Sequence, residues 1–348
     1  MEFLAGGRAE VRITRADVGK RVSVRRLTGG GEGQPAFSDV VGVLTSWDAG
    51  VLSITRRDGA CVSVEESALV AAKVVPAAPA RRRGPSATVR ELQHVAARGW
   101  PAVETEPLGE WTLRASGGFT RRANSVLPLG DPGVPLDAAL ERIGRWYAAH
   151  GLPAVIAVAT GRAGTDEELA AALAERGWAD EAHTRVRIAG LAPLADTPAA
   201  PAGDTATRVT LSRDPDAGWL ALYNRTGGDA PGGRAAPDAL RVLTGGPSVW
   251  FATARDADGG TAAIGRLVVD GRWAGFAAVE VAPHARRRGL ATRVMAALAE
   301  RALSEGASAA YLQVEADNAD ALAFYDRLGF TDHHGYHYRR ALPGGGRD

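Results

Sequence analysis

Three consecutive arginines, Arg286, Arg287 and Arg288, stand directly before Gly289-Leu290-Ala291 in the stretch VAPHARRRGLATRVM. A strand pattern ends at Val281, Pro283 stops any ladder, and amphipathic spacing predicts a helix over 289–304. Cations at a helix start oppose its dipole, so three of them there are unfavourable unless an anion lies against them. The first N–H groups of such a helix have no partner within it, and Gly289 and Ala291 leave the backbone open. This is the composition of a phosphate or pyrophosphate cradle rather than of a solvated charge run. A second cluster, His333, His334 and His337 in HHGYH, invites a metal reading. On an alternating strand His334 faces with Tyr336, and His333 faces with His337. No carboxylate at ligand spacing accompanies them, so no metal site is expected.

The chain's 348 residues are too many for one typical domain. Two Pro/Ala-rich stretches, PAAPARRRGPS and APLADTPAAPAGDT, read as linkers. They give a first segment at 1–76, a linker at 77–87, a second segment at 88–191, a linker at 192–205, a third segment at 206–341 and a tail at 342–348. Lys and Arg number 41 against 40 Asp and Glu, which leaves no chain-wide field for nucleic acid. The single cysteine, Cys61, excludes an intrachain disulfide. No apolar run reaches the length of a membrane span or a signal peptide, so a cytoplasmic protein with no membrane contact is expected.

The first segment carries EVRIT, RVSVRRL, DVVGVLTSW, VLSITRR and CVSVEE, many in period-two alternation and separated by Gly-containing turns, among them a Gly-rich loop at 29–33. About five short strands suit a small closed all-β barrel. The opening DVGKRVSVRRL resembles a Src-homology-3-like barrel, which implies a structural or protein-docking role, with nucleic-acid binding as the alternative. The third segment predicts a strand at 207–211, helices at 215–224 and 237–243, and strands at 248–254, 261–269 and 272–281. The helix at 289–304, a strand at 309–315, a helix at 318–328 and a strand at 334–340 follow, which makes an α/β domain on a mixed sheet.

The second segment repeats the third in pattern. AVIAVATGRAGTDEELAAALAERGWADEAHTRVRI and AAYLQVEADNADALAFYDRLGFTDHHGYHYRR both run strand, turn, amphipathic helix, Gly-aromatic, strand. A repeat of this size predicts two domains of one fold. Where the third segment has its arginines, the second has LPLGDPGVP with Asp131, and its helix has no tyrosine. Only one copy keeps the cradle.

The cradle resembles the pyrophosphate loop of the GNAT acetyltransferase superfamily. NADALAFYDRLGF resembles that family's second signature, through Asn318, Ala321, Phe324, Tyr325, Gly329 and Phe330. The resemblance implies tandem GNAT-type domains, the second catalytic, with acetyl-CoA as co-substrate and direct acetyl transfer to a primary amine. It assigns Arg286, Arg287, Arg288, Gly289, Leu290, Ala291 and Thr292 to the pyrophosphate and Asn318 to the cofactor arm. The backbone N–H near Val281 would serve the thioester oxygen. Tyr325, a phenol of ordinary pKa about 10, would be the acid for the leaving thiolate. Glu280 is one candidate base, although alternation can turn it away from the acceptor; a water-relayed base, or none, stands beside it.

GGFTRRANSVL (117–127) is polar for a strand. Arg121, Arg122 and Asn124 could bind an acceptor carboxylate, or the segment could be a plain exposed edge strand. FTRRANSVLPLG in this arrangement resembles a bacterial family described as N-acetylglutamate synthases, implying the α-amine of L-glutamate and arginine biosynthesis. Two other readings stay open: a protein or peptide acetyltransferase that docks substrate through the barrel, and a non-catalytic acyl-CoA-binding regulator.

Overall fold

A computed structural model of the chain describes residues 11–28, 37–56, 60–75, 84–196, 208–223 and 237–342. The Gly-rich loop at 29–33, the linker residues 77–83 and 197–205, and the tail from 343 lie outside the described residues. The chain forms two compact units, Met1–Arg83 and Gly84–Asp348. Among the described residues no helix is long and apolar enough to cross a membrane.

The first unit is all-β: β1 (Val11–Arg12), β2 (Arg21–Leu27), β3 (Phe37–Asp48), β4 (Val51–Thr55), β5 (Cys61–Glu65) and β6 (Leu69–Val74). They form one sheet in the order β1-β6-β2-β3-β4-β5. Val22, Val24, Val40, Leu44, Leu52 and Ile54, alternate residues on their strands, are wholly buried. Ala49 and Gly50, at φ 49° and 78°, make the two-residue hairpin between β3 and β4. The sixth strand, LVAAKV, is the one the sequence hides, because its alanines carry little strand propensity. Among the described residues no ladder joins β5 to β1, so the expected closure of the barrel is not made by backbone pairing.

The second unit opens with α1 (Val89–Gly99), β7 (Glu104–Leu108), β8 (Trp111–Ala115), β9 (Leu127–Pro128) and α2 (Leu136–Ala149). It continues with β10 (Val155–Thr160), α3 (Glu167–Glu175), β11 (Ala179–Gly190) and α4 (Ala192–Ala195). Then come β12 (Val209–Ser212), α5 (Ala217–Tyr223), α6 (Pro237–Thr244), β13 (Ser248–Arg255) and β14 (Thr261–Asp270). The unit ends with β15 (Trp273–Val281), α7 (Leu290–Ser304), β16 (Ala309–Glu315), α8 (Ala319–Arg327) and β17 (Thr331–Arg340). Residues 117–127, read from sequence as a polar strand, are instead a turn and a short 3-10 helix at Arg121–Ala123 leading into β9. The start of the expected linker at 192 is the helix α4, anchored by the buried Leu191 and Leu194.

Strands β7, β8 and β9 form a small sheet, and the other eight run in the order β10-β17-β11-β16-β15-β14-β13-β12. The order exchanges strands between the second and third segments. The last strand of each lies beside the next-to-last strand of the other: β17 against β10, and β11 against β16. The two last strands, β11 and β17, pair with each other between them.

Helix α7 packs Leu290, Val294, Met295 and Leu298 into the core over β14 and β15. Its approach requires glycine at 265, where a Cβ would stand 2.6 Å from Val294. Arg266 on β14, 1% exposed, donates to the carbonyls of Leu243, Gly99 and Gly245. A cation there satisfies the C-terminal ends of α1 and α6 and underlies Trp100, whose ring lies 4.8 Å from the guanidinium carbon.

Candidate active site

Strands β15 and β16 are parallel neighbours only from Trp273–Phe276 against Ala309–Leu312. Beyond that they part, and a cavity of about 420 Å³ occupies the wedge. A β-bulge lies in its wall. Ile264 faces Glu280 and Arg266 faces Ala277, so two residues, Ala278 and Val279, stand against Gly265. Ala278 takes the left-handed φ of 52° this requires. The bulge resets the alternation that sequence reasoning applies to Glu280, and Glu280 lines the cavity.

The N–H of Ala282 bonds to Ala262 O at 2.8 Å. Antiparallel alternation therefore turns the N–H of Val281 away from β14, toward the side from which β16 has departed. A short 3-10 turn, Pro283–Ala285, then delivers the chain to α7. Arg287 at φ 60° and Gly289 at φ 76° are both left-handed, alternating across Arg288; such an alternation curls successive N–H groups toward one point. The first helical bond is Arg293 N–H to Gly289 O, and α7 has neither a side-chain cap nor an acidic residue in its first turn. The side chains of Arg286 and Arg287 are exposed and pair with no carboxylate among the described residues. Leu290 is 1% exposed, so only its backbone can serve a ligand; Ala291 and Thr292 are partly exposed beside it. The residues fit a pyrophosphate: open N–H donors, left-handed glycine, and cations at a helix start.

The corresponding stretch of the second segment is filled from within. Asp131 accepts from Gly133 N–H at 2.7 Å, and Glu110 accepts from Asp131 N–H at 2.8 Å. The N–H groups of Asp131 and Gly133 are therefore held by carboxylates of the chain.

Asn318 caps α8, its Oδ1 accepting from Ala321 N–H at 3.0 Å. The cap occupies the oxygen and leaves the amide nitrogen as the donor toward the cavity it lines. Tyr325, two turns along α8, lines the same cavity. Its pKa is pushed up to about 12, first by burial and then by the negative charge of Glu280. Gly329, left-handed at φ 85°, ends the helix and turns Phe330 into the core beneath the Tyr325 ring, with centroids 5.7 Å apart. Arg187 of β11, in the second segment, holds this helix from below. It donates to the carbonyls of Leu322 and Phe330 and pairs with Asp326 and Asp332.

The three polar residues of the 117–127 stretch separate. Arg121 is exposed and pairs with Glu181 at 3.0 Å, at the cavity margin. Arg122 enters the cavity wall, its guanidinium 5.2 Å over Trp100, and its Nε is buried with no hydrogen-bond partner among the described residues. Asn124 does not face the cavity. Its Oδ1 accepts from Ser116 and Gly118 N–H and its Nδ2 donates to the carbonyls of Phe119 and Thr120, so the amide is spent shaping the loop that presents Arg122.

Sequence reasoning does not find Trp100, Tyr336, Tyr338 or Gln313, which share the wall with Arg122. Tyr336 donates to Gln313 Oε1 at 3.0 Å. The two tyrosines at period two in GYHYRR are the signal that was available.

The chain's similarities agree with this geometry. The family model described as "Probable histone acetyltransferase Rv0428c C-terminal" matches residues 86–339, and the model "Rv0428c N-terminal Sm-like domain" matches 16–73. The probable histone acetyltransferase Rv0428c of Mycobacterium tuberculosis is 30% identical over 326 residues, 92% of this chain and 94% of that protein. A mycothiol acetyltransferase of Clavibacter sepedonicus is 33% identical over 229 residues, 60% of this chain and 73% of that protein. A solved GCN5-related N-acetyltransferase from Kribbella flavida shares the fold, with a TM-score of 0.53 at 19% identity over 75% of this chain and 98% of that one.

Proposed function

We propose, from the premise that this chain belongs to the Rv0428c family of GNAT-type N-acetyltransferases and uses acetyl-CoA, that its acceptor is a small primary amine bearing a carboxylate. The α-amine of an amino acid such as L-glutamate is the acceptor to test first. The observation that carries the reading is Arg122, a cavity-wall cation that pairs with no carboxylate among the described residues. Glu280 and Glu315 line the same cavity. A cation and carboxylates around one cavity are complementary to an amino acid zwitterion.

Acetyl-CoA supplies the acetyl thioester, with the CoA thiol as leaving group. Glu280 takes a proton from the acceptor ammonium, so that the nitrogen gains a lone pair. The Val281 N–H donates where the carbonyl oxygen gains charge. Tyr325 O–H donates where the sulfur departs. The two side chains are coupled: once Glu280 holds a proton, the charge that raises the Tyr325 pKa is gone, and the phenol becomes the stronger acid when it is needed.

The donor loop gives a first test. Gly289→Val forces a β-branched residue into a left-handed position, at about 1–2 kcal/mol. If this falls on binding, the KM for acetyl-CoA rises roughly 5–30-fold while kcat at saturation holds. An unchanged KM would remove the loop from cofactor binding.

Acceptor identity is tested by thiol release from acetyl-CoA with free amino acids and, in parallel, with a lysine-containing histone-tail peptide. The relative named as a probable histone acetyltransferase supports the peptide as the second reading, with the first unit as its docking module. Turnover of L-glutamate or another free amino acid, with Arg122→Met raising its KM roughly 10–100-fold, is the expected result. Turnover of the peptide alone reverses the assignment.

We also read residues 88–191 and 206–341 as duplicated acyltransferase domains, of which only the second retains the donor loop, and residues 1–76 as a barrel of the Src-homology-3-like kind. The self-filled cradle at Asp131 and Glu110 supports the first of these.

A further inference from the structure

On β17, Tyr336 and Tyr338 line the acceptor cavity, so alternation sends the intervening His337 to the opposite face of the sheet. His337 is 5% exposed, and neither ring nitrogen has a hydrogen-bond partner among the described residues. Strand β11 is bulged against it. Glu181 pairs with Tyr338 and Thr184 with Tyr336, so Ala182 and His183 together stand opposite His337. Ala182 takes a left-handed φ of 55° to allow this. A bulge re-aims side chains, and here it stacks His183 on His337, with ring centroids 5.0 Å apart. Asp180 completes the group. Its Oδ1 lies 2.8 Å from His183 Nε2 and its Oδ2 3.8 Å from His337 Nε2.

We propose that Asp180, His183 and His337 form a binding site for one divalent transition-metal cation, with Zn²⁺ the best match. Each residue brings one ligand atom, and all three atoms lie within 4.8 Å of one another. Two imidazoles and a carboxylate suit Zn²⁺, Co²⁺ or Ni²⁺ better than Mg²⁺ or Ca²⁺. Tetrahedral bonds to Zn²⁺ of about 2.0–2.1 Å hold donors roughly 3.3 Å apart, and the three ligand atoms, all within 4.8 Å of one another, reach that spacing by small side-chain shifts. His183 and Asp180 are exposed, so water can reach the fourth position. The competing cation is Arg339, 3.6 Å from Asp180 Oδ2, and it has Trp178 O as another acceptor. A sequence reading confined to HHGYH misses the site, because two of its three ligands come from β11. An ion here joins the last strands of the second and third segments on the face behind the acceptor wall. It is a structural clip and takes no part in the transfer.

Tag-free full-length protein, stripped with a chelator, should take up one equivalent of Zn²⁺ in a calorimetric titration. Co²⁺ should give the strong visible bands of four-coordination, and Zn²⁺ should raise the melting temperature. His183→Ala removes one exposed ligand and Asp180→Asn neutralises another without changing its shape, so the metal-free melting temperature should hold while affinity falls at least about tenfold. Absence of saturable Zn²⁺ binding in the unsubstituted chain overturns the proposal. So does binding of equal affinity in both variants.

Discussion

Tyr325→Phe will lower kcat by about 10²–10⁴-fold, the usual contribution of a positioned proton donor, and leave the KM for acetyl-CoA within a few-fold. The substitution keeps the ring that packs on Phe330 and removes only the O–H beside Glu280. Stopped or continuous thiol release with saturating acetyl-CoA measures it. The pH profile supplies a second check. A phenol held near 12 stays protonated throughout the neutral range, so no alkaline limb below about pH 10 should vanish in the variant. A kcat within threefold of the unsubstituted enzyme would take Tyr325 out of the chemistry and leave Glu280 and the Val281 N–H to account for it.

The second large effect is expected at Arg187. Arg187→Met empties a fork that serves two carbonyls and two carboxylates around α8. Asp326 and Asp332 reach water and can be re-solvated. The loss falls mainly on the carbonyls of Leu322 and Phe330, so the cost is about 2–4 kcal/mol rather than that of a wholly buried ion pair. A fall in melting temperature of roughly 5–15 °C follows for a unit of this size. Because α8 carries Tyr325, kcat should fall together with stability. Arg187→Lys keeps the charge but cannot make the fork and should lie between. Unchanged melting and unchanged kcat in the methionine variant would show that α8 is held by other contacts.

Element spans in the third segment were legible because long amphipathic patterns admit one reading. The helix expected at 289–304 is α7 at Leu290–Ser304, and the strand expected at 309–315 is β16. The loop before α7 could be nominated for another reason: three arginines at a helix start oppose the dipole unless a ligand answers them. The exchange of β11 and β17 was not legible. Period-two patterning states that a strand has buried faces and is silent about which neighbour lies beside it. The buried arginines were not legible for a related reason. Arg187 and Arg266 occupy strand positions that look solvent-facing, and only tertiary structure reveals that carbonyls surround them. Arg122 could be nominated from sequence, whereas the separation of Arg122 from Asn124 depends on a loop whose turn at Thr120, φ 58°, has no sequence signature.

The strand order bears on how such a chain can change over generations. Both neighbours of β17 come from residues 155–190, and β16 has β11 as its outer neighbour. A gene fragment encoding only residues 206–341 would yield a product in which β17 has lost both of its neighbours and β16 its outer one. Residues 155–190 therefore cannot be shed without unpairing the chain's last strand. A deletion there would remove the strands on both sides of β17 and with them the support of the cavity wall that Tyr336 and Tyr338 form.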